Sequence, residues 1–334
     1  MALAARGESA VLPAALKAAQ SGDEQLRILA FRALKRVGDA SSVPALLDAA
    51  ISDNAEVSSA AMDTLESLQD KAVDGQLAHQ LSQSKGKMRL ALIELAGRRR
   101  TASAAPMLWN AVEDTDSIVR IAALTALGDV LTTNDLPKLI TRLATTDGEL
   151  ETVTLDKAIQ DVCLRAVDRE AVADQLAVAL QTVDRPIKVR ILDTLNIVGG
   201  ERSLAAVAAA ARSNDAELRD AAFRVLGQWK AADAAPDLLE LHNSIDDQRL
   251  KVRAIRAYIR IARQFDIPAD RRAEMCRTAL EVAERDEDKR LVLEVLLRYP
   301  SDQMQAIAME AAEDPALKEE ALLVVMGMAS EGIN

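Results

Sequence analysis

Aromatic residues are scarce in this 334-residue sequence: two Trp, two Tyr and three Phe, 2% of the whole. Runs of β-branched residues are scarce too, and Ala and Leu supply most of the apolar mass. That mixture favours helices packed closely through small side chains. Basic charge is in deficit. Lys+Arg 41 against Asp+Glu 52 leaves −11 with His neutral, which argues against wrapping DNA or RNA and against an anionic membrane surface. The two cysteines, Cys163 and Cys276, imply no disulfide framework. The two histidines, His79 and His242, lie too far apart in sequence to suggest zinc, which needs several converging ligands. No apolar stretch approaches the length of a membrane span, so membrane insertion is not expected. The opening residues are too short for a signal peptide.

What is present is length, a 49% hydrophobic content and a repeat. A hydrophobic-arginine pair recurs as Leu26-Arg27, Met88-Arg89, Val119-Arg120, Val189-Arg190, Leu218-Arg219 and Val252-Arg253, with Val57-Ser58 in the same slot. Positions 27, 58, 89 and 120 step by 31; the next step, to 190, equals two repeats of about 35. Ala33-Leu34, Thr64-Leu65, Leu95-Ala96 and Ala126-Leu127 keep the same 31-residue step, and Ala2-Leu3 lies one step before the first. Residues 1–7 therefore read as the tail of a truncated preceding repeat, and the chain as an excerpt of a longer protein.

Each repeat reads as two helices. Val43, Leu46, Leu47, Ala50 and Ile51 make one apolar stripe at helical period, and Leu26, Ala30, Ala33, Leu34 and Val37 make another. Pro13, Pro44, Pro106, Pro137 and Pro236 suit the first turns of first helices. Asp23, Asp116 and Asp215 precede second helices as caps, and Gly38, Gly128 and Gly227 fall where a left-handed residue would close them. The helix pairs expected are 8–20 with 24–37, 42–52 with 55–68, 70–83 with 86–97, 103–113 with 117–127, and 134–144 with 149–166. The other five are 168–182 with 186–198, 201–212 with 216–228, 233–243 with 248–264, 268–283 with 286–298, and 301–312 with 315–328. The fold class is all-α: an alpha-alpha superhelix of about ten helix pairs, forming a single solenoid over 1–334 without a flexible linker. Helices lengthen at 145–166 and 242–268, where the pitch is expected to change.

The unit Asp116-Ser117-Ile118-Val119-Arg120-Ile121-Ala122-Ala123-Leu124-Thr125-Ala126-Leu127-Gly128 resembles the HEAT repeat, an armadillo-like architecture that serves many unrelated tasks. A narrower likeness runs from about residue 100 to 330, through Ala234-Ala235-Pro236-Asp237-Leu238-Leu239, Lys251-Val252-Arg253-Ala254-Ile255-Arg256-Ala257-Tyr258-Ile259-Arg260 and Asp314-Pro315-Ala316-Leu317-Lys318-Glu319-Glu320-Ala321. It is similar to the HEAT region of large exported planctomycete-type proteins. There the region adjoins 3-keto-disaccharide hydrolase-like or cytochrome c modules. The resemblance implies an exported or periplasmic parent; otherwise a cytoplasmic location is expected. Neither kind of module is in this sequence, which has no Cys-x-x-Cys-His haem attachment.

No phosphate loop, Gly-x-Gly-x-x-Gly or His-Glu-x-x-His occurs. Both cysteines sit on apolar stripes without a neighbouring base and read as core. Acidic groups such as Glu149 and Glu151, Asp246 and Asp247, or Asp286-Glu287-Asp288 read as solvated helix starts. No catalytic residue, cofactor, metal site or small-molecule ligand is predicted.

Arg27, Arg89, Arg120, Arg190, Arg219 and Arg253 share one slot and should form a row. Inter-repeat support through turn carboxylates or helix-end carbonyls is the expected use, with Asp23, Asp116 and Asp215 as candidate partners. An anion-binding rail is the alternative. Trp229, Arg256, Tyr258 and Arg260 are candidate partner contacts, since aromatics with arginines often anchor a partner; Trp229 and Tyr258 also suit packing of an irregular junction. The expected function is a non-catalytic scaffold or spacer docking a protein, a peptide or an adjacent domain. The alternatives are a carbohydrate-active enzyme using groove carboxylates, and a nucleic-acid-binding solenoid using the arginine row.

Overall fold

The computed structural model describes residues 2–330, with side-chain surroundings from residue 11 onward. Among the described residues there are twenty α-helices and no strand. The chain divides into two compact units, Met1–Val167 and Asp168–Asn334. Each holds five helix pairs.

In the first unit the pairs are α1 (Ala2–Ser21) with α2 (Glu24–Val37), α3 (Val43–Ala50) with α4 (Ala55–Ser67), α5 (Lys71–Gln83) with α6 (Gly86–Arg98), α7 (Ala105–Ala111) with α8 (Ser117–Val130), and α9 (Leu136–Ala144) with α10 (Glu149–Arg165). In the second unit they are α11 (Arg169–Thr182) with α12 (Arg185–Val198), α13 (Glu201–Ala211) with α14 (Ala216–Gly227), α15 (Ala235–Ser244) with α16 (Gln248–Gln264), α17 (Ala269–Val282) with α18 (Asp286–Arg298), and α19 (Asp302–Ala311) with α20 (Lys318–Ser330). Within each unit, second helices pack on their own first helix and on the second helix of the adjoining pair. One pair has a single apolar stripe; stacking buries it on both sides. Phe31, Leu34, Leu65, Leu95, Leu127 and Leu195 end with no exposed surface. No described helix is long and apolar enough to cross a membrane.

Local sequence explains most helix starts. Asp23 Oδ1 accepts from the Leu26 N–H at 2.8 Å, Asp116 from Ile118 at 2.9 Å, and Asp215 from Glu217 and Leu218 at 3.0 and 3.2 Å. These bonds satisfy first-turn donors and place negative charge at the positive helix end. Pro44, Pro106, Pro137 and Pro236 occupy first turns, as expected. Pro13 does not: it lies inside α1, which runs unbroken from Ala2 past Gly7. The expected helix tail at residues 1–7 is thus continuous with α1 in backbone. Met1 and the side chains of residues 2–10 lie outside the described residues.

The glycines need correcting. Gly38 has φ −72°, and none of Gly38, Gly128 and Gly227 is left-handed; positive φ falls instead at Gly86, Gly199, Gly200 and Arg100. Gly128 is buried within α8, where a Cβ would come within 2.9 Å of the Ala158 Cα and 3.0 Å of its Cβ. Gly97 in α6 is nearly as close to α8: a Cβ there would come within 3.1 Å of the Ala126 Cα. The 31-residue step from Gly97 to Gly128 therefore marks helix-to-helix contact, not helix closure.

Candidate functional site

The slot arginines sit early in second helices, beside the turn that joins each pair. Arg120 shows the fullest geometry. Its Nη1 donates to the carbonyls of Asp114 and Thr115 in its own turn, at 2.9 and 3.1 Å. Its Nε and Nη2 reach Glu151 Oε1 of the next pair at 2.8 and 2.7 Å. Arg89 meets Asp114 Oδ2 of the next pair at 3.2 Å and donates weakly to Asn110 at 3.4 Å. Arg27 donates to the Ala19 carbonyl at 3.2 Å and lies 6.0 Å from the Phe31 ring centre. Arg219 donates to the Ser213 carbonyl at 3.0 Å. Arg253 reaches back to Asp220 Oδ1 of the preceding pair at 2.8 Å, and Arg190 is not without a partner. Partners are thus Asp114, Glu151, Asp220 and turn carbonyls. Asp23, Asp116 and Asp215 are directed to helix N–H groups, and Asp215 also to Arg185 at 2.7 Å. Charge-assisted bonds of this half-buried kind contribute on the order of 1.5–3 kcal/mol each.

A second set of polar links joins the far ends of second helices and went unnoticed in sequence. Arg99, its side chain 7% exposed, donates from Nη1 to the Leu65, Glu66 and Leu68 carbonyls at 2.6, 3.0 and 2.8 Å, and from Nε to Asp74 at 2.8 Å. Arg165 donates to the Gly128 carbonyl and to that of Leu131 at 3.1 Å. Arg260 donates to the Trp229 carbonyl at 2.9 Å, and the Tyr299 hydroxyl to the Arg263 carbonyl at 2.8 Å. Each satisfies carbonyls that the end of a helix leaves unpaired. Arg272 adds bonds to Ala262 and Phe265 carbonyls at 2.9 and 2.7 Å and stacks 3.8 Å from the Tyr299 ring.

The four candidate partner contacts are placed differently from one another. Trp229 is 2% exposed and its Nε1 donates to Asp233 at 2.8 Å. Tyr258 is buried, which pushes its hydroxyl up to about 12. Both fill the core, so neither offers an aromatic face to a partner. Arg260 is half-buried between the Trp229 carbonyl and the Phe265 ring, and burial lowers its affinity for its proton. Arg256 is exposed, but its Nε holds the buried Asp288 at 2.5 Å.

Groups of possible chemical interest are otherwise committed. Burial pushes the Cys163 and Cys276 thiols up to about 12, away from the thiolate that attack requires. His242 is buried with its ring nitrogens 3.1 Å from the Lys251 and Val282 carbonyls. Among the acids, Glu151 pairs with Arg120, Asp247 caps α16 and Glu287 pairs with Arg285 at 2.6 Å. Among the described residues, no three His, Cys, Asp or Glu come together in a way that could hold a metal ion.

Two open grooves of the first unit lie between second helices. A groove of about 490 Å³ between α6 and α8 has a floor of Leu90, Ile118, Ala122 and Ala126, with Glu94, Arg98 and Asp129 at its edge. Ile118 stands 63% exposed there. A neighbouring groove between α2 and α4, of about 710 Å³, is more charged, with Arg32, Lys35, Glu56 and Asp63. Arg98 crosses toward α4, contacting Asp63 and Glu66 at 3.5 Å. Charges of both signs alternate along this face, which gives no continuous basic track.

Residues 75–156, from α5 into α10, match the HEAT repeats family. No match was found among curated proteins. Similar solved structures include human deoxyhypusine hydroxylase in complex with glycerol, at 17% identity and TM-score 0.31 over 87% of this chain and 97% of that one. Kap95p, in a complex with RanGDP, aligns at 13% identity and TM-score 0.44 over 95% of this chain and 47% of its own. Importin beta aligns at 12% and 0.42 over 94% and 51%. Likeness at these levels transfers no residue's role. The paired helices of both units make the described chain all-α, and residues 75–156 match HEAT repeats within it.

Proposed function

We propose that the chain is a non-catalytic scaffold whose second-helix faces dock a protein, a peptide or a neighbouring domain. The carrying observation is the α6–α8 groove: an apolar floor with a charged edge, inside the stretch that matches HEAT repeats. Ile118 exposes a large aliphatic side chain at the start of α8, where a polar residue would serve the helix equally well. Burying its exposed part against a partner is worth about 1–2 kcal/mol. Extended complementarity of this sort needs no reactive group, and the high proton affinity of both thiols fits it. A continuous solenoid through both units, and a longer exported parent carrying its chemistry in another module, belong to the same proposal.

A photo-crosslinking amino acid at position 118 tests the reading in the source cell. One defined partner should be captured at 118, lost when Leu90→Asp is added, and absent from a probe at exposed Val178 on α11. An identical capture pattern at both probes, or none at 118, would overturn it.

A further inference from the structure

In the first unit two slot arginines, Arg89 and Arg120, pair with a carboxylate of the next pair, whereas Arg27 donates to the Ala19 carbonyl. Arg120 takes the carbonyl six residues before it, Asp114, and a carboxylate of the next pair, Glu151. Arg89 likewise takes a next-pair carboxylate, Asp114. Arg219 keeps the first acceptor: its Nη1 bonds the carbonyl six residues before it, Ser213, at 3.0 Å. The second is missing. Counting forward as Arg89 does to Asp114 leads to Ser244, and as Arg120 does to Glu151 leads to Leu250. Neither is an acid, and among the described residues no carboxylate pairs with Arg219. Its Nε–H is buried without an acceptor, as is that of Arg89, so the missing carboxylate is what sets Arg219 apart from Arg89.

Where the carboxylate would stand there is a cavity of about 420 Å³, lined by Arg212, Ser213, Asn214, Arg219, Glu240 and Ser244. Glu240 is already bonded to Arg212 Nη2 at 3.0 Å. Asp237 lies 4.0 Å from the same Arg212 nitrogen, which leaves Arg219 as the lining cation with no carboxylate partner among the described residues. A guanidinium presents its N–H groups as a planar fork matched to a carboxylate, and the Ser244 hydroxyl and Asn214 amide are further donors at the wall.

We propose that this cavity binds a carboxylate: the Asp or Glu side chain of a docking protein occupies the slot that Asp114 and Glu151 fill internally in the first unit. The identity of the ligand's bearer rests on the docking function above; the carboxylate preference does not.

The test uses the full chain with ¹⁵N-labelled arginine, following the Arg219 Nε–H by NMR. The probe is the capped tripeptide acetyl-Gly-Glu-Gly-amide, with its Gln counterpart as control. A saturable shift is expected with the Glu peptide only. In Ser244→Asp, which supplies the acid internally, the resonance should already be displaced and the titration flat. Ser244→Asn should titrate like the unaltered protein. Ser244 is exposed, so both variants should fold, with helical circular dichroism as the check. No saturable shift, an equal response to the Gln peptide, tighter binding of inorganic phosphate, or an undiminished titration in Ser244→Asp each overturns the proposal. Loss of crosslinking at position 118 would bear on the docking function and leave this titration unaffected.

Discussion

Replacing Gly128 by Ala adds a single methyl group, and two opposing effects decide its sign. In a helix interior Ala is favoured over Gly by about 0.8–1 kcal/mol. Against that, the new Cβ would lie 2.9 Å from the Ala158 Cα and 3.0 Å from its Cβ. These atoms cannot rotate away as a long side chain can, so α8 and α10 must separate. Overpacking of this kind costs about 1–3 kcal/mol. Separation also strains the Arg165 bonds to the Gly128 and Leu131 carbonyls. A net loss of about 1–2 kcal/mol is expected. Gly75→Ala is the matched control: Gly75 lies within α5, exposed, and a Cβ there meets nothing within 4 Å. It should gain about 0.5–1 kcal/mol. Urea unfolding followed by far-ultraviolet circular dichroism reads both. The midpoint should fall for Gly128→Ala and rise for Gly75→Ala. Cys163, buried in α10, gives a local readout, since labelling of its thiol should accelerate in the first variant only. A Gly128→Ala protein as stable as the parent would refute the close-contact account of this glycine.

Arg99→Met should destabilise the first unit by about 2–3 kcal/mol, since three carbonyls at the end of α4 lose their donor; urea midpoints check this, and a change below about 0.5 kcal/mol would show that water replaces the guanidinium. Both thiols, raised to about 12 by burial, should resist a disulfide reagent at pH 8 in the folded chain and react fully in urea. Burial pushes the Asp220 carboxyl up, but Arg253 and Arg249 outweigh it and hold it below the usual carboxylate range. Its contribution to stability is therefore present above the unfolded value of about 3.9 and lost as pH falls through the lower folded value. Asp220→Asn should lower stability at pH 7 and flatten the acid limb of the pH–stability curve, while a limb of unchanged steepness would remove Asp220 from its cause.

The ten helix pairs were legible because each stripe repeats at helical period and the anchors step by 31. Val43 through Ile51, for example, points its apolar side inward on α3. Helix-start aspartates were legible for the same local reason: Asp23, Asp116 and Asp215 bond donors two or three residues away. That local use also explains why they are poor partners for the slot arginines. Gly128 misled because a glycine near a helix end suits closure and close contact alike. Links from Arg99 to Leu68 and from Arg260 to Trp229 span 31 residues each and end on backbone carbonyls. A carbonyl carries no side-chain signature, so only the donor's place late in a second helix could have announced them. Trp229 reads from sequence as a partner contact or a junction filler; Asp233, four residues on across the turn between α14 and α15, is the internal acceptor of its indole N–H.

The carbonyl caps at the far ends of second helices give each unit a direction. A pair is finished off by its successor: α4 by Arg99, α8 by Arg165, α14 by Arg260, α16 by Tyr299. Shortening the protein from the C-terminal side would thus leave the last surviving pair bare at one tip, even with its apolar stripe intact. Cuts just before α9 should fray α8, whereas cuts that retain α10 should not. Anyone trimming or splicing such repeats should carry one extra pair beyond the segment of interest, or graft an arginine to do that pair's job.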